Sequence, residues 1–497
     1  MNQVYLVPPS LQEWLPSDHL ARFVADVVAT LDLSEILQAC AVKDRRARGR
    51  PSYHPQMLTT LLVYAYCVGM PSSRKIERST WDVVAFRFLA GDEHPDHDTI
   101  ASFRKKHLKA LAGLFVQVLR LCQEAGLVKL GHVSLDGTKV KANASKHKAM
   151  SYERMLKNEA ELAAEVKRLL EEADQTDRDE DDRFGKGRHG DELPRELARS
   201  ETRLAKLREA RAALEAEAAA AHARDRTEKA DEAEKQAQNA LPAAREKAEQ
   251  RATQKRAEAE AAAVQAAEKA RAAGRPTPDV DPRDPDTLPA HQVRFTRDGA
   301  PHPKAQRNFT DPDSRIMKRN GAFEQDYNCQ AVVDETCQVI VAEAVTNQAP
   351  DAEHLRPMLE QVEENCGALP TKLSGDAGYL SEANLEACEE RGVDAYLATG
   401  RKKHGEVVPP AVRGRTPKHL TARERMERKL RTKAGREIYA RRKVIVEPVF
   451  GQIKEAQGIR AFSLRGQENV QGEWSLITLS HNLLKLYRHS WKPALTG

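Results

Sequence analysis

Aromatic residues make up only 5% of this sequence. One long Ala/Glu/Arg/Lys segment dilutes them. No run of about 18 apolar residues occurs anywhere, which argues against a membrane-spanning helix. Cysteine is sparse: Cys40, Cys67, Cys122, Cys329, Cys337, Cys366 and Cys388 include no CxxC pair, and most sit in apolar runs. The pattern argues against a zinc ribbon or a disulfide framework and fits buried thiols in a reducing cytoplasm. The first residues, MNQVYLVPPSLQEWLP, have neither a basic start nor a continuous apolar core, so no signal peptide is expected. Aspartate is missing between residues 401 and 443. That stretch holds sixteen Lys and Arg against four Glu, a charge of +12 in a chain whose formal total is +5. Such a local excess points to a polyanionic partner.

At 497 residues the chain is too long for one ordinary core, and two to four structural units are expected. Residues 1–130 read as all-helical. In HLARFVADVVATL an apolar stripe of Leu20, Phe23, Val24, Val27 and Val28 follows Ser17 or Asp18 as cap. Short helices with Gly- or Ser-marked joints suit a helix-turn-helix-like bundle. His94, Asp96, His97 and Asp98 fall in a loop, with Asp98 as the cap of the next helix, and this reading is preferred to a metal site.

HVSLDGTKVKANAS (132–145) alternates Val133 and Leu135 with Ser134 and Asp136, the period of a strand with two different faces. A carboxylate at the end of such a strand is costly unless something charged meets it. The pattern returns in KLSGD (372–376), which ends on Asp376, and a third acid, Glu447, lies in RRKVIVEPVFGQIK. Between the first strand and the rest, residues 150–273 carry short heptad seams: Met155, Leu162 and Leu169, then Leu197 with Leu204 and Leu207 with Leu214. They suggest a helical hairpin or antiparallel coiled coil with its tip at 176–191. The part after Pro242 has few apolar knobs and reads as a single exposed helix or a partly ordered segment. A Pro/Asp linker closes it at 274–289. Beyond it come a polar, turn-rich stretch (308–325), a β-hairpin from YNCQAVVDE and CQVIVAEAVTN, and alternating helices and strands. The expected division is a helical N-terminal domain at 1–130, a first strand at 131–149, a helical insertion with linker at 150–290, and the remaining α/β domain at 291–490, which includes the basic segment 401–443.

Two strand-borne aspartates and a helix glutamate form an oxygen-only cage suited to Mg²⁺ or Mn²⁺. Two such ions about 4 Å apart activate the attacking oxygen and stabilise the leaving one in phosphodiester transfer. Asp136 would bridge the ions, with Asp376 on one and Glu447 on the other. Lys454 lies seven residues beyond Glu447, on roughly the same helix face, to hold a phosphate. Arg442 and Tyr439 precede Glu447 and would do likewise, as would Lys139 and Asn143 in the basic exit of the first strand.

Taken together, SLDGTKVKANAS, TDPDSR (310–315), YNCQAVVD, SGDAGY and the block Tyr439, Arg442, Glu447, Lys454 followed by GIRAFSLRG resemble a bacterial insertion-sequence transposase of the DDE type. The last block is similar to that family's Tyr-Arg-Glu-Lys signature. The Arg-to-Glu gap is one residue longer than the common form, which leaves Lys443 as an alternative for the Arg role. The resemblance implies a ribonuclease-H-like domain with a mixed five-stranded sheet and helices on both sides. Asp136 would lie on its first strand, Asp376 on the fourth and Glu447 on the helix after the fifth. It also implies an enzyme that cuts double-stranded DNA at terminal inverted repeats and joins the freed 3′-hydroxyls to target DNA. The enzyme would work as a homodimer or larger synaptic assembly, on the nucleoid in the cytoplasm and away from membranes. The competing reading is a catalytically inactive or repurposed DNA-binding protein of the same fold.

Overall fold

The computed structural model describes residues 11–44, 52–184, 195–275, 288–319, 321–400 and 419–490, together with 411, 412, 414 and 417. The chain forms two compact units, one of residues 1–143, 285–290 and 316–497, the other of 144–284 and 291–315. Among the described residues no helix is long and apolar enough to cross a membrane.

The first unit opens with helices α1 (Leu11–Trp14), α2 (Leu20–Thr30), α3 (Ser34–Asp44), α4 (Pro55–Cys67), α5 (Ser73–Asp82), α6 (Val84–Ala90), α7 (His97–Lys106) and α8 (Leu108–Glu124). Two caps differ from the sequence reading. His19, not Ser17 or Asp18, caps α2 by accepting from the Ala21 amide. Asp96 caps α7 through the Thr99 amide at 2.7 Å, so Asp98 falls in the first turn instead. His97 Nδ1 pairs with Glu77 at 2.7 Å and His94 stacks on Trp81, which ties both histidines to α5. Helix α4 is buried from Leu58 to Cys67 because apolar residues surround it on every face.

Strand β1 (His132–Lys141) then enters the sheet. The second unit follows: β2 (Ala149–Ser151), α9 (Tyr152–Phe184), α10 (Arg195–Gln238), α11 (Pro242–Ala272) and β3 (Gln306–Asn308), which pairs antiparallel with β2. Met155, Leu207 and Leu214, all singled out by the heptad spacing, are buried together with Ala210, Ala218 and Val293. The segment after Pro242 is not a lone exposed helix. Ala262 and Ala266 of α11 pack on Ala219 and Ala223 of α10, and Ala252 packs on Ala233 and Ala237, which makes the two helices antiparallel. Alanine supplies no large knob, yet it lets the backbones approach closely; Arg226–Glu258 and Arg256–Asp231, at 2.7 and 3.0 Å, flank the seam. The expected tip at 176–191 lies partly outside the described residues.

The first unit resumes with β4 (Arg315–Arg319), β5 (Ala322–Asp334), β6 (Ile340–Thr346), α12 (Leu355–Cys366), β7 (Lys372–Gly375), α13 (Glu382–Glu390), β8 (Asp394–Leu397), α14 (Ala422–Arg431), α15 (Lys433–Gly451) and α16 (Gln467–Ser490). The strand order is β4–β5–β1–β7–β8, with β6 also paired to β5. β5 runs antiparallel to β1 and β6; β7 runs parallel to β1 and β8. The sheet is therefore mixed, but among the described residues it has six strands where five were expected. The extra one, β4, lay inside the stretch read as polar turn. Its charges mask the strand period, since only Met317 is buried.

The register fixes the two faces. Ala331 pairs with both Asp136 and Glu343, so these three side chains point the same way. Arg442 of α15 and Ser475 and Gln471 of α16 meet that face. Gly137 and Lys139, opposite Gln330 and Asn328, point to the other face.

Candidate active site

The parallel pairing of Leu135 with Gly375 brings Asp136 and Asp376 side by side, one residue further along strands about 4.8 Å apart. β7 stops at Gly375 because the chain turns there. Asp376 caps a single 3₁₀ turn, Ala377–Tyr379, by accepting from the Gly378 amide at 2.7 Å. Burial pushes the Asp136 carboxyl up, the Arg442 guanidinium pulls it back, and the neighbouring Asp376 charge raises it again, to about 6. Arg442 Nη1 lies 2.8 Å from Asp136 Oδ2, and its guanidinium carbon is 5.9 Å from the centre of the Tyr439 ring.

Lys454 Nζ donates to Thr138 Oγ1 and, at 2.9 Å, to the Lys139 carbonyl; burial pulls its ammonium down from the ordinary lysine value. Lys139 Nζ donates to the Ala349 carbonyl at 3.0 Å. Asn143 is a structural clamp in this arrangement, its amide donating to the Ser463 carbonyl at 2.7 Å. Lys443 is exposed on α15.

Glu447 does not join the two aspartates. Helix α15 buries Ile445, Val446 and Val449, and Arg442 shares their side; Glu447, five residues past Arg442, lies about 140° further round and is exposed. Pro448 is accommodated inside α15, which continues to Gly451 and runs into a wide π turn, Gln452–Ala456. Among the described residues no group of three or more His, Cys, Asp or Glu is placed to hold a metal ion.

A fourth acid was missed. Asp351 Oδ1 accepts from Asn328 at 2.7 Å and from Gln330 at 2.9 Å, and Tyr379 donates to Gln330 Oε1. Burial alone would raise the Asp351 carboxyl, but the His354 ring 3.8 Å away, the Lys139 charge and hydrogen bonding from Asn328 outweigh it and hold it at about 2. The site closes on two glycines. A Cβ at Gly378 would lie 3.0 Å from Asp376 Oδ1 and 3.3 Å from Asp351 Oδ2, and one at Gly137 would lie 3.1 Å from Asp351 Oδ1. The signal was present in YNCQ: Asn328 and Gln330 share one face of a strand in an apolar run, and buried amides need partners.

The family model described as "Transposase DDE domain" matches residues 287–483, and that described as "Transposase domain (DUF772)" matches residues 9–106. The chain belongs to the insertion-sequence DDE transposases. No curated protein and no solved structure matches it. The match to the DDE domain holds Asp376 and Glu447 and starts after Asp136. The mixed sheet with its surrounding helices fits the ribonuclease-H-like α/β fold of these transposases. The family generally uses divalent metal ions. The Asp136–Asp376 pair, with oxygen donors on adjacent strands, fits a hard cation; Glu447 is not placed with them.

Proposed function

We propose that this transposase binds the terminal inverted repeats of its insertion sequence, cleaves the ends and joins the 3′-hydroxyls to target DNA. The observation that carries this reading is the Asp136–Asp376 pair on adjacent parallel strands, with Arg442 and Lys454 beside it. Asp136 and Asp376 would hold Mg²⁺ or Mn²⁺. Such ions, when bound, would supply activation of the attacking oxygen and stabilisation of the leaving one. Arg442, Tyr439, Lys139 and Lys454 position the DNA backbone, with Lys443 and Asn143 as outlying contacts. Glu447 completes the acid set only with α15 turned about its axis, since Arg442 and Glu447 cannot both face Asp136. The N-terminal helices and the basic segment 401–443 hold DNA, and the second unit pairs protomers or clamps DNA. Deleting 152–285 should change oligomeric state or end binding; if neither changes, that role is removed.

The exposed position of Glu447 favours one second reading, a DNA-binding protein of the same fold without cleavage activity. A cleavage and strand-transfer assay on DNA carrying the flanking repeats separates the two. Cutting at the repeat boundary in Mg²⁺ supports the enzyme; tight binding without cutting in Mg²⁺ or Mn²⁺ supports the binding protein.

A further inference from the structure

A cavity of about 440 Å³ opens between β1, β4 and the turn that follows α15. The described cations that line it are Lys318, Arg319, Lys454 and Arg460 against one acid, Glu455; Lys139 also lines it, but its ammonium turns to the other face of β1, toward Ala349 and Asp351. Among the described residues no apolar or aromatic side chain lines it, so these offer a nucleobase nothing to stack on. The cations come from separate elements and are held in place. Arg319 is fixed by buried Asp326 at 3.0 Å. Arg460 pairs with Glu455 and donates to the Lys454 carbonyl at 3.2 Å. Its loop is pinned to the end of β1, Phe462 N donating to the Lys141 carbonyl at 2.8 Å, and the buried Glu473 carboxylate accepts from the Ser463 and Leu464 amides at 3.0 and 2.8 Å. Lys318 is exposed and makes no ion pair among the described residues. Lys454 uses two of its three donors on Thr138 and Lys139.

We infer that this cavity seats a backbone phosphate of the bound DNA, held by Lys318, Arg319 and Arg460 beside Lys454. The inference rests on the DNA-processing reading above. The cavity meets β1 at Gly137, Thr138 and Lys139, and Thr138 and Lys139 lie two and three residues beyond Asp136. At about 3.3 Å per strand residue these two are roughly 7–10 Å from that carboxylate. That places the seat within the first few nucleotides of the reacting phosphate. Fixed cations of this kind set the register of a duplex without reading its sequence.

The test compares full-length wild type with Lys318→Ala/Arg460→Ala, and with Asp376→Asn as a second variant. The probe is a labelled duplex ending in the flanking repeat, with a scrambled duplex beside it. Circular dichroism and thermal melting check that each variant is folded. The double variant should bind both duplexes more weakly by a similar factor, and its log K against log salt should be shallower by about one to two. Ethylation of a phosphate within the first few nucleotides of the cut should interfere with wild-type binding and not with the double variant. An unchanged salt slope and an unchanged interference pattern in the folded double variant would overturn the seat while leaving the transposase reading intact. Failure of wild type and Asp376→Asn alike to bind any duplex would overturn that reading itself, and the seat with it.

Discussion

Arg442 Nη1 stands 2.8 Å from Asp136 Oδ2. The carboxylate at the centre of the sheet thus faces a guanidinium on the side from which α15 approaches. A cation arriving at Asp136 must compete with that ion pair. Replacing Arg442 with Gln should therefore tighten Mn²⁺ binding to the DNA-free protein by roughly 10-fold, about 1.4 kcal/mol, and weaken DNA binding. Calorimetric titration with Mn²⁺ checks this. An unchanged affinity would mean that the pair does not restrain the site.

Asp351 ties Asn328, Gln330 and Lys139 to the turn that carries Asp376. Asp351→Asn replaces an acceptor with an amide facing two other amides. It should lower stability by about 1–3 kcal/mol and slow cleavage while leaving end binding near wild type. Denaturant unfolding with single-turnover kinetics tests both parts. A variant that cuts at the wild-type rate would remove Asp351 from the support of the site.

Glu343 shares the Asp136 face and accepts from Ser475 and Gln471, fully buried under α16. Burial pushes its carboxyl up from 4.5 to about 7 against those hydrogen bonds. Because the folded value lies above the unfolded one, its contribution is complete below pH 4.5 and is lost as pH rises through 7. Wild type should lose about 3 kcal/mol across that window relative to Glu343→Gln. Parallel unfolding curves for the two proteins from pH 4.5 to 8.5 would contradict the buried neutral carboxyl.

The strands carrying Asp136 and Asp376 were legible because each alternates apolar and polar residues up to its acid. That they would meet in one cage was expected, but not the parallel register that brings them together, since it joins segments separated in sequence by the second unit. β4 was hidden by its own charges, and α11 by a seam of alanines too small to stand out as knobs. Glu447 was found as a residue, but its facing was not. Spacing along a helix gives the angle between two side chains and not which of them the sheet will bury, and here Ile445, Val446 and Val449 draw Arg442 inward. Asp351 went unnoticed because its role is visible only through the two amides that hold it.

Cleavage of DNA ending in the flanking repeats, in Mg²⁺, with wild type beside Asp376→Asn, tests the central claim most directly. The account predicts cutting at the repeat boundary and joining of the 3′-ends by wild type. The variant should show at least a 100-fold loss, about 2.7 kcal/mol of transition-state stabilisation, with end binding unchanged. Equal cutting by both proteins would place the chemistry elsewhere. Tight binding with no cutting by wild type in either Mg²⁺ or Mn²⁺ would show that the pair of aspartates is present without the activity.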